Sequence, residues 1–312
     1  MNIVFMGSAQ FGIPALEKLR ENGHAITGIV STPQKESGRG LTATDSPIVQ
    51  FSNKNGFGPI LTPEKLKNPE FIEALRKIEA DVYVVVAFRI LPEEVFSLPP
   101  LGTINIHASL LPRYRGPAPI QRAIAAGEKT TGITIFRIDR GIDTGKIILQ
   151  KETSVGDKET TPLVYERLAR LGADCIVEAL SRLRDSSAAF IEQDASVASA
   201  APKLTKAEGN IDWSLPSRAI FNRIRAFKPF PGSYTFLEGR RVSVEWADPC
   251  ESQDGSREPG IITGVDEEGF NVQCGGGSLR ILEVKPEGKK NMSAKAFLTG
   301  RKLTPGARFD RQ

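Results

Sequence analysis

The stretch GTINIHASLLPRYRG, Gly102 to Gly116, decides how the rest of the chain is read. In Gly102-Thr103-Ile104-Asn105-Ile106-His107, apolar Ile104 and Ile106 alternate with polar neighbours, so a strand here buries one face and turns Asn105 and His107 out together on the other. Ser109-Leu110-Leu111-Pro112-Arg113-Tyr114-Arg115-Gly116 follows, and Pro112 and Gly116 bound a rigid loop rather than a helix. A second apolar-rich strand, Gly132 to Asp139, runs into the glycine-bracketed turn Gly141-Ile142-Asp143-Thr144-Gly145. An amide, an imidazole and a carboxylate are thus delivered near strand ends. In open α/β sheets ligands sit just beyond the carboxyl ends of the strands.

Working toward the N-terminus, Asp81 to Ala87 is a continuous apolar run, as expected of a central parallel strand covered on both faces. Asn2 to Met6 reads as a strand, Gly7 to Gly12 as a turn, Ile13 to Leu19 as a helix with proline in its first turn, and Ala25 to Ser31 as a strand. That βαβ order predicts an α/β domain with a parallel twisted, Rossmann-like sheet. The turn is not GxGxxG, so its glycines read as structural as readily as nucleotide-binding. Thr32 to Asp45 is polar and unpatterned, a long loop of the kind that is commonly functional or mobile. Helices are expected over Pro47 to Asn53, Pro63 to Ala80 and Pro117 to Glu128. A strand is expected over Lys146 to Thr153, followed by a long helix opened by Thr161-Pro162.

Toward the C-terminus the character changes. Residues 185–210 are rich in Ala, Ser and Asp with little periodicity and read as a linker between a domain over 1–184 and another over 211–312. Beyond Ser217 to Phe227, a helix, five short strands are expected over 233–237, 241–246, 260–265, 270–274 and 279–284. Strands so short, with glycine turns between them, suggest a small antiparallel barrel. Lys285, Lys289, Lys290, Lys295, Arg301 and Lys302 cluster with one acid, Glu287, among them. Such a run is either a solvated face or a phosphate-contacting one.

The 312 residues are 40% hydrophobic and 25% charged, enough for two cores, and the net charge of +4 permits a polyanionic partner without demanding one. The N-terminus carries no basic n-region or cleavage site and no run reaches membrane-span length, which leads us to expect a cytoplasmic protein. Cys175, Cys250 and Cys274 form no CxxC pair and read as buried or incidental thiols. With a single candidate histidine, no metal shell is expected. Ser109 has no G-x-S-x-G elbow, which argues against a serine hydrolase.

The order Asn105-x-His107-x-Ser109-Leu110-Leu111-Pro112-x-Tyr114-Arg115-Gly116, then Asp143-Thr144-Gly145, resembles the signature of the formyltransferases that use 10-formyltetrahydrofolate. Phe221 to Phe227 with Pro229-x-Pro231-Gly232, and Pro286-x-Gly288-Lys289-Lys290-x-Met292-Ser293, resemble the C-terminal, OB-like barrel of the methionyl-tRNA formyltransferases within that family. The resemblance implies Asn105, His107 and Asp143 as catalytic residues and a folate pocket at Phe88, Ile90, Leu91, Ser109, Leu110, Leu111 and Pro112. It also implies initiator methionyl-tRNA as acceptor, held by Arg39 in the long loop and by Lys285, Lys289 and Lys290. A monomer is expected. At Phe88-Arg89-Ile90-Leu91-Pro92 the family's stretch is one residue longer and carries glycine. A formyltransferase acting on an aminosugar nucleotide or another small amine would share the triad, and an RNA-binding module with a silent α/β domain would not need it.

The residue types suit the chemistry independently. Charge developing on a formyl oxygen needs preset donors in a dry pocket, which an amide and an imidazole supply. An α-amino group with a pKa near ~8 is appreciably neutral at neutral pH, so a carboxylate that takes up its proton afterwards suffices. Each residue also has a bland reading: His107 as a satisfied structural histidine, Asp143 as a turn cap.

Overall fold

In a computed structural model, which describes residues 1–37, 42–250, 257–300 and 303–310, the chain forms two compact units. The first comprises Met1–Pro119, Thr130–Ser154 and Tyr165–Pro202; the second comprises Ile120–Lys129, Val155–Val164 and the chain from Lys203 onward. The stretch that reads as linker therefore divides near residue 202.

In chain order the elements are β1 (Asn2–Gly7), α1 (Ile13–Glu21), β2 (Ala25–Val30), β3 (Lys35–Ser37), β4 (Thr42–Thr44), α2 (Pro47–Asn55), β5 (Ile60–Leu61) and α3 (Pro69–Arg76). Then come β6 (Val82–Val86), α4 (Glu93–Phe96), β7 (Thr103–His107), α5 (Pro119–Ala126), β8 (Thr130–Arg137), β9 (Ile147–Ser154) and α6 (Thr161–Arg184). The 7-stranded sheet runs β5-β2-β1-β6-β7-β8-β9. Its first five strands are parallel, and β1 and β6, apolar but for Asn2, lie at its centre with every β6 residue buried. β8 and β9 add antiparallel, so Arg137 lies opposite Ile104 and Thr134 opposite His107. The α/β class holds, with a mixed rather than wholly parallel sheet.

Two local expectations are revised. The helix expected over Pro63 to Ala80 is only α3, because Pro69 keeps Asn68 out of the helical region and the Asn68 side chain caps Glu70 N–H at 2.9 Å. The unpatterned loop after β2 contains the short antiparallel pair β3 and β4. Arg39 lies outside the described residues.

The second unit contains α7 (Ser217–Ala226), β10 (Tyr234–Leu237), β11 (Arg240–Cys250), β12 (Ile262–Val265), β13 (Phe270–Gln273), β14 (Ser278–Pro286), β15 (Met292–Ser293) and α8 (Ala294–Thr299). The sheet order is β10-β11-β14-β13-β12, antiparallel throughout, with β15 on β14. Its core gathers Phe221, Phe270, Ile281 and Leu279, and the Trp213 and Phe309 rings stack at 5.3 Å, which draws the chain after α8 into the barrel.

Arg225, 2% exposed, sits inside this unit. Its guanidinium donates to Asn222 Oδ1 at 3.0 Å and to the carbonyls of Gly156 at 3.2 Å, Glu159 at 3.1 Å and Ile124 at 3.5 Å. One cation thereby satisfies three backbone carbonyls from two other segments of the chain, and its loss leaves them buried and unmatched. Arg225→Met, which keeps length but no donor, is expected to lower the unfolding free energy by about 3 kcal/mol. Denaturant titration checks this, and a loss below about 1 kcal/mol would mean that the carbonyls find other donors.

Candidate active site

β7 lies between β6 and β8, and its alternation does what the sequence suggests. Asn105 pairs opposite Phe136 and His107 opposite Thr134, so the amide and the imidazole share one face. The Asn105 side chain is half-buried and makes no hydrogen bond among the described residues. An amide held on a rigid strand with its donors unused is available to a ligand.

His107 is 6% exposed, its ring edge-on to Phe136 at 6.4 Å. Its Nε2 lies 2.9 Å from the Tyr114 carbonyl, and Nδ1 lies 3.6 Å from Asp143 Oδ2. A carbonyl only accepts, so Nε2 carries the proton and the neutral ring presents the Nδ1 lone pair on the side of Asp143. Burial pushes the imidazole below its ordinary pKa, against the opposing pull of Asp143 and of the Tyr114 carbonyl.

The loops around the ring are held in unusual backbone conformations. Tyr114 has φ +61° and Asp143 φ +53°, in the left-handed region that side chains rarely adopt. Gly116, at φ +120°, donates its N–H to Asp143 Oδ2 at 2.7 Å, and a Cβ there would meet the Ala201 carbonyl at 2.8 Å. β8 runs against β7 and ends opposite Ile104, near the start of β7, and the turn after it brings the Asp143 carboxylate back to His107. Backbone strain of this kind gathers where function needs a group aimed.

Below the loop, Thr134 Oγ1 donates to the Ser109 carbonyl at 2.6 Å and accepts Leu111 N–H at 3.0 Å, while Gln150 Nε2 donates to Thr134 Oγ1 at 2.9 Å and the Leu111 carbonyl at 2.8 Å. Ser109 is fully buried and its hydroxyl donates inward to the Arg113 carbonyl at 2.6 Å, so its side chain shapes the loop rather than facing a ligand. Leu111 likewise packs in a core cluster with Phe136 and Ile147. Leu110 and Pro112 are half-buried.

The segment after β6 is different. Leu91 is buried, Phe88 half-buried and Ile90 74% exposed, and the backbone of Phe88, Ile90 and Leu91 makes no hydrogen bond among the described residues. Apolar side chains beside open backbone donors and acceptors suit a flat heterocycle with hydrogen-bonding edges. In the second unit Lys285, Lys289 and Lys290 are exposed and have no carboxylate partner among the described residues.

The sequence reading missed Gln193 and Ser199. Gln193 hydrogen-bonds the backbone of the Asp143 turn and Ser199 Oγ accepts Tyr114 N–H at 2.9 Å. Both lie in the stretch whose small polar composition reads as linker.

Residues 1–180 match the family described as formyl transferase, and residues 203–302 its C-terminal domain. The chain belongs to the formyl transferase family. Among curated relatives of this formyl transferase, a methionyl-tRNA formyltransferase from Caldanaerobacter subterraneus subsp. tengcongensis is 39% identical over 308 residues, covering 98% of this chain and 99% of the relative. Among solved structures, an N-formyltransferase from Helicobacter canadensis with folinic acid and dTDP-3-aminofucose aligns with a TM-score of 0.67 at 18% identity, covering 89% of this chain and 98% of that one. HypX from Aquifex aeolicus with tetrahydrofolic acid aligns with a TM-score of 0.63 at 16% identity over 99% of this chain, which spans 50% of that longer one. At these identities the structures share the fold.

The depressed His107 pKa has a testable sign. As pH falls through about 6.5 the unfolded chain takes up the proton first, so His107's contribution to stability is full above that value and is lost progressively below it, down through the folded pKa. Between about pH 7.5 and about pH 5.5 the unfolding free energy should fall more for the wild type than for His107→Asn. Equal pH dependence in denaturant titrations would contradict the burial argument.

Proposed function

We propose that this formyl transferase moves the formyl group of 10-formyltetrahydrofolate to the amino group of methionyl-initiator-tRNA. The observation that carries the reading is the unused Asn105 amide beside a buried imidazole braced by the Tyr114 carbonyl and Asp143. The open backbone at Phe88, Ile90 and Leu91 would take the pterin edge, with Leu110 and Pro112 at its border. When bound, the donor supplies the electrophilic formyl carbon and its own nitrogen as leaving group.

Asn105 donates to the formyl oxygen as negative charge develops there. Because the neutral ring's one proton points from Nε2 to the Tyr114 carbonyl, His107 is not the preset donor expected from its residue type, and we assign to its Nδ1, in place of Asp143, the proton that the attacking amine loses once its nitrogen bonds to the formyl carbon. Asp143 stabilises the resulting imidazolium, whose Nδ1–H also serves the oxygen. The proton then passes to the folate nitrogen as its bond to carbon breaks, so proton and bond counts balance.

The acceptor assignment is supported by relatives that bear the methionyl-tRNA name along nearly the whole chain. It is also supported by exposed Lys285, Lys289 and Lys290 on a barrel domain, a type of fold that often carries oligonucleotides. We assign catalysis to residues 1–184 and tRNA contact to 211–312 and Arg39, and infer a cytoplasmic monomer. The test is transfer from 10-formyltetrahydrofolate to charged initiator tRNA, uncharged tRNA and aminosugar nucleotides. Formylation of the charged tRNA alone is expected, with Asn105→Ala and His107→Ala each slower by about 10²- to 10³-fold. Formylation of the sugar alone, or near-normal rates in either variant, would overturn the reading.

A further inference from the structure

We infer that Gln193 is a positioning residue that holds Asp143 against His107, by clamping the Asp143 turn to Arg115. The inference rests on the function proposed above and adds to it a residue outside the catalytic motif.

Gln193 Nε2 donates to the Asp143 carbonyl at 2.9 Å and to the Gly145 carbonyl at 2.8 Å. Its Oε1 accepts from Arg115 Nε at 3.1 Å and Nη2 at 2.7 Å. Both amide hydrogens and the carbonyl oxygen are engaged, and the orientation is fixed, since a flipped amide would set its NH2 against the guanidinium and its oxygen against two carbonyls. Arg115 precedes Gly116, whose N–H binds the Asp143 carboxylate, so the clamp joins the two loops whose tips meet at the imidazole.

The segment carrying Gln193 is itself anchored. Ile191 pairs with Ile147 through bonds of 2.8 and 2.9 Å, and further on Arg115 N–H donates to the Ser199 carbonyl at 2.8 Å and Ala201 N–H to the Arg115 carbonyl at 2.6 Å. A residue held at both ends of its own segment can impose a conformation on its neighbours. Asp143 needs one imposed, because its φ of +53° is a state that an unrestrained aspartate leaves readily. Without the amide, water can solvate both carbonyls, the turn relaxes, and the carboxylate drifts from Gly116 N–H and from His107.

Gln193→Met keeps the side chain's length and removes every hydrogen bond. The expected result is a kcat lower by about 10-fold or more with both KM values within about 2-fold, because misplacement of a reacting group by ~1 Å can cost ~10²-fold in rate. In an Asp143→Asn background, followed by single turnover, the same change should cost less than about 3-fold, since the residue acts through Asp143. The ring resonances of His107, one of two histidines in the chain, should also move in Gln193→Met while those of His24 stay, a readout that needs no turnover.

An unchanged kcat, equal losses in both backgrounds, or still His107 resonances would overturn the inference. A wild type that transfers no formyl group would instead defeat the function, and the resonances would decide this question alone. If Gln193→Met does not fold, Gln193→Glu, which keeps the Arg115 contact and sets a carboxylate against the two carbonyls, is read with the same criteria.

Discussion

A buried imidazole held at Nε2 by a carbonyl and faced at Nδ1 by a carboxylate is the constraint around which the first unit is arranged. Both partner residues, Tyr114 and Asp143, sit in left-handed backbone. Tyr114 presents its carbonyl because it sits in a left-handed conformation that Ser199 and Gly116 help to hold. Asp143 presents its carboxylate because its turn is braced from behind and capped in front by Gly116 N–H. The low dielectric that depresses the imidazole's proton affinity also strengthens each of these contacts, so the site is both dry and ordered.

That arrangement explains why the sheet ends as it does. Because β8 and β9 add antiparallel, they place Thr134 opposite His107 and supply Thr134 and Gln150 as fixed points under residues 109–111. The contrast between Asn105 and its neighbours follows. Thr134, Gln150, Ser109 and Asp143 are matched within the chain, and the strand amide that is not is the one we propose as donor to the formyl carbonyl.

Much of this was legible in the sequence, and what was not has physical reasons. Period-two alternation put Asn105 and His107 on one face, the apolar run at 81–87 marked the centre of the sheet, and glycine-bounded short strands marked the barrel. The reversal of β8 carries no signature, because apolar alternation is the same in either direction. The left-handed Tyr114 is invisible, since tyrosine gives no cue for that region. Gln193 and Ser199 were hidden by composition: a segment that binds through side-chain amides, hydroxyls and backbone, without an apolar face, looks like a linker. The α3 boundary is readable, as Asn68-Pro69 is a cap and a stop, but the helical spacing of Leu66, Phe71, Leu75 and Ile78 runs across it.

The most direct measurement is a crystal structure with a folate analogue whose formyl group cannot be transferred. The account predicts the carbonyl oxygen at about 2.7–3.2 Å from the Asn105 amide nitrogen, with His107 Nδ1 and Asp143 on the side from which an amine approaches. A ligand seated away from this face, or a carbonyl beyond hydrogen-bond reach of Asn105, would contradict it.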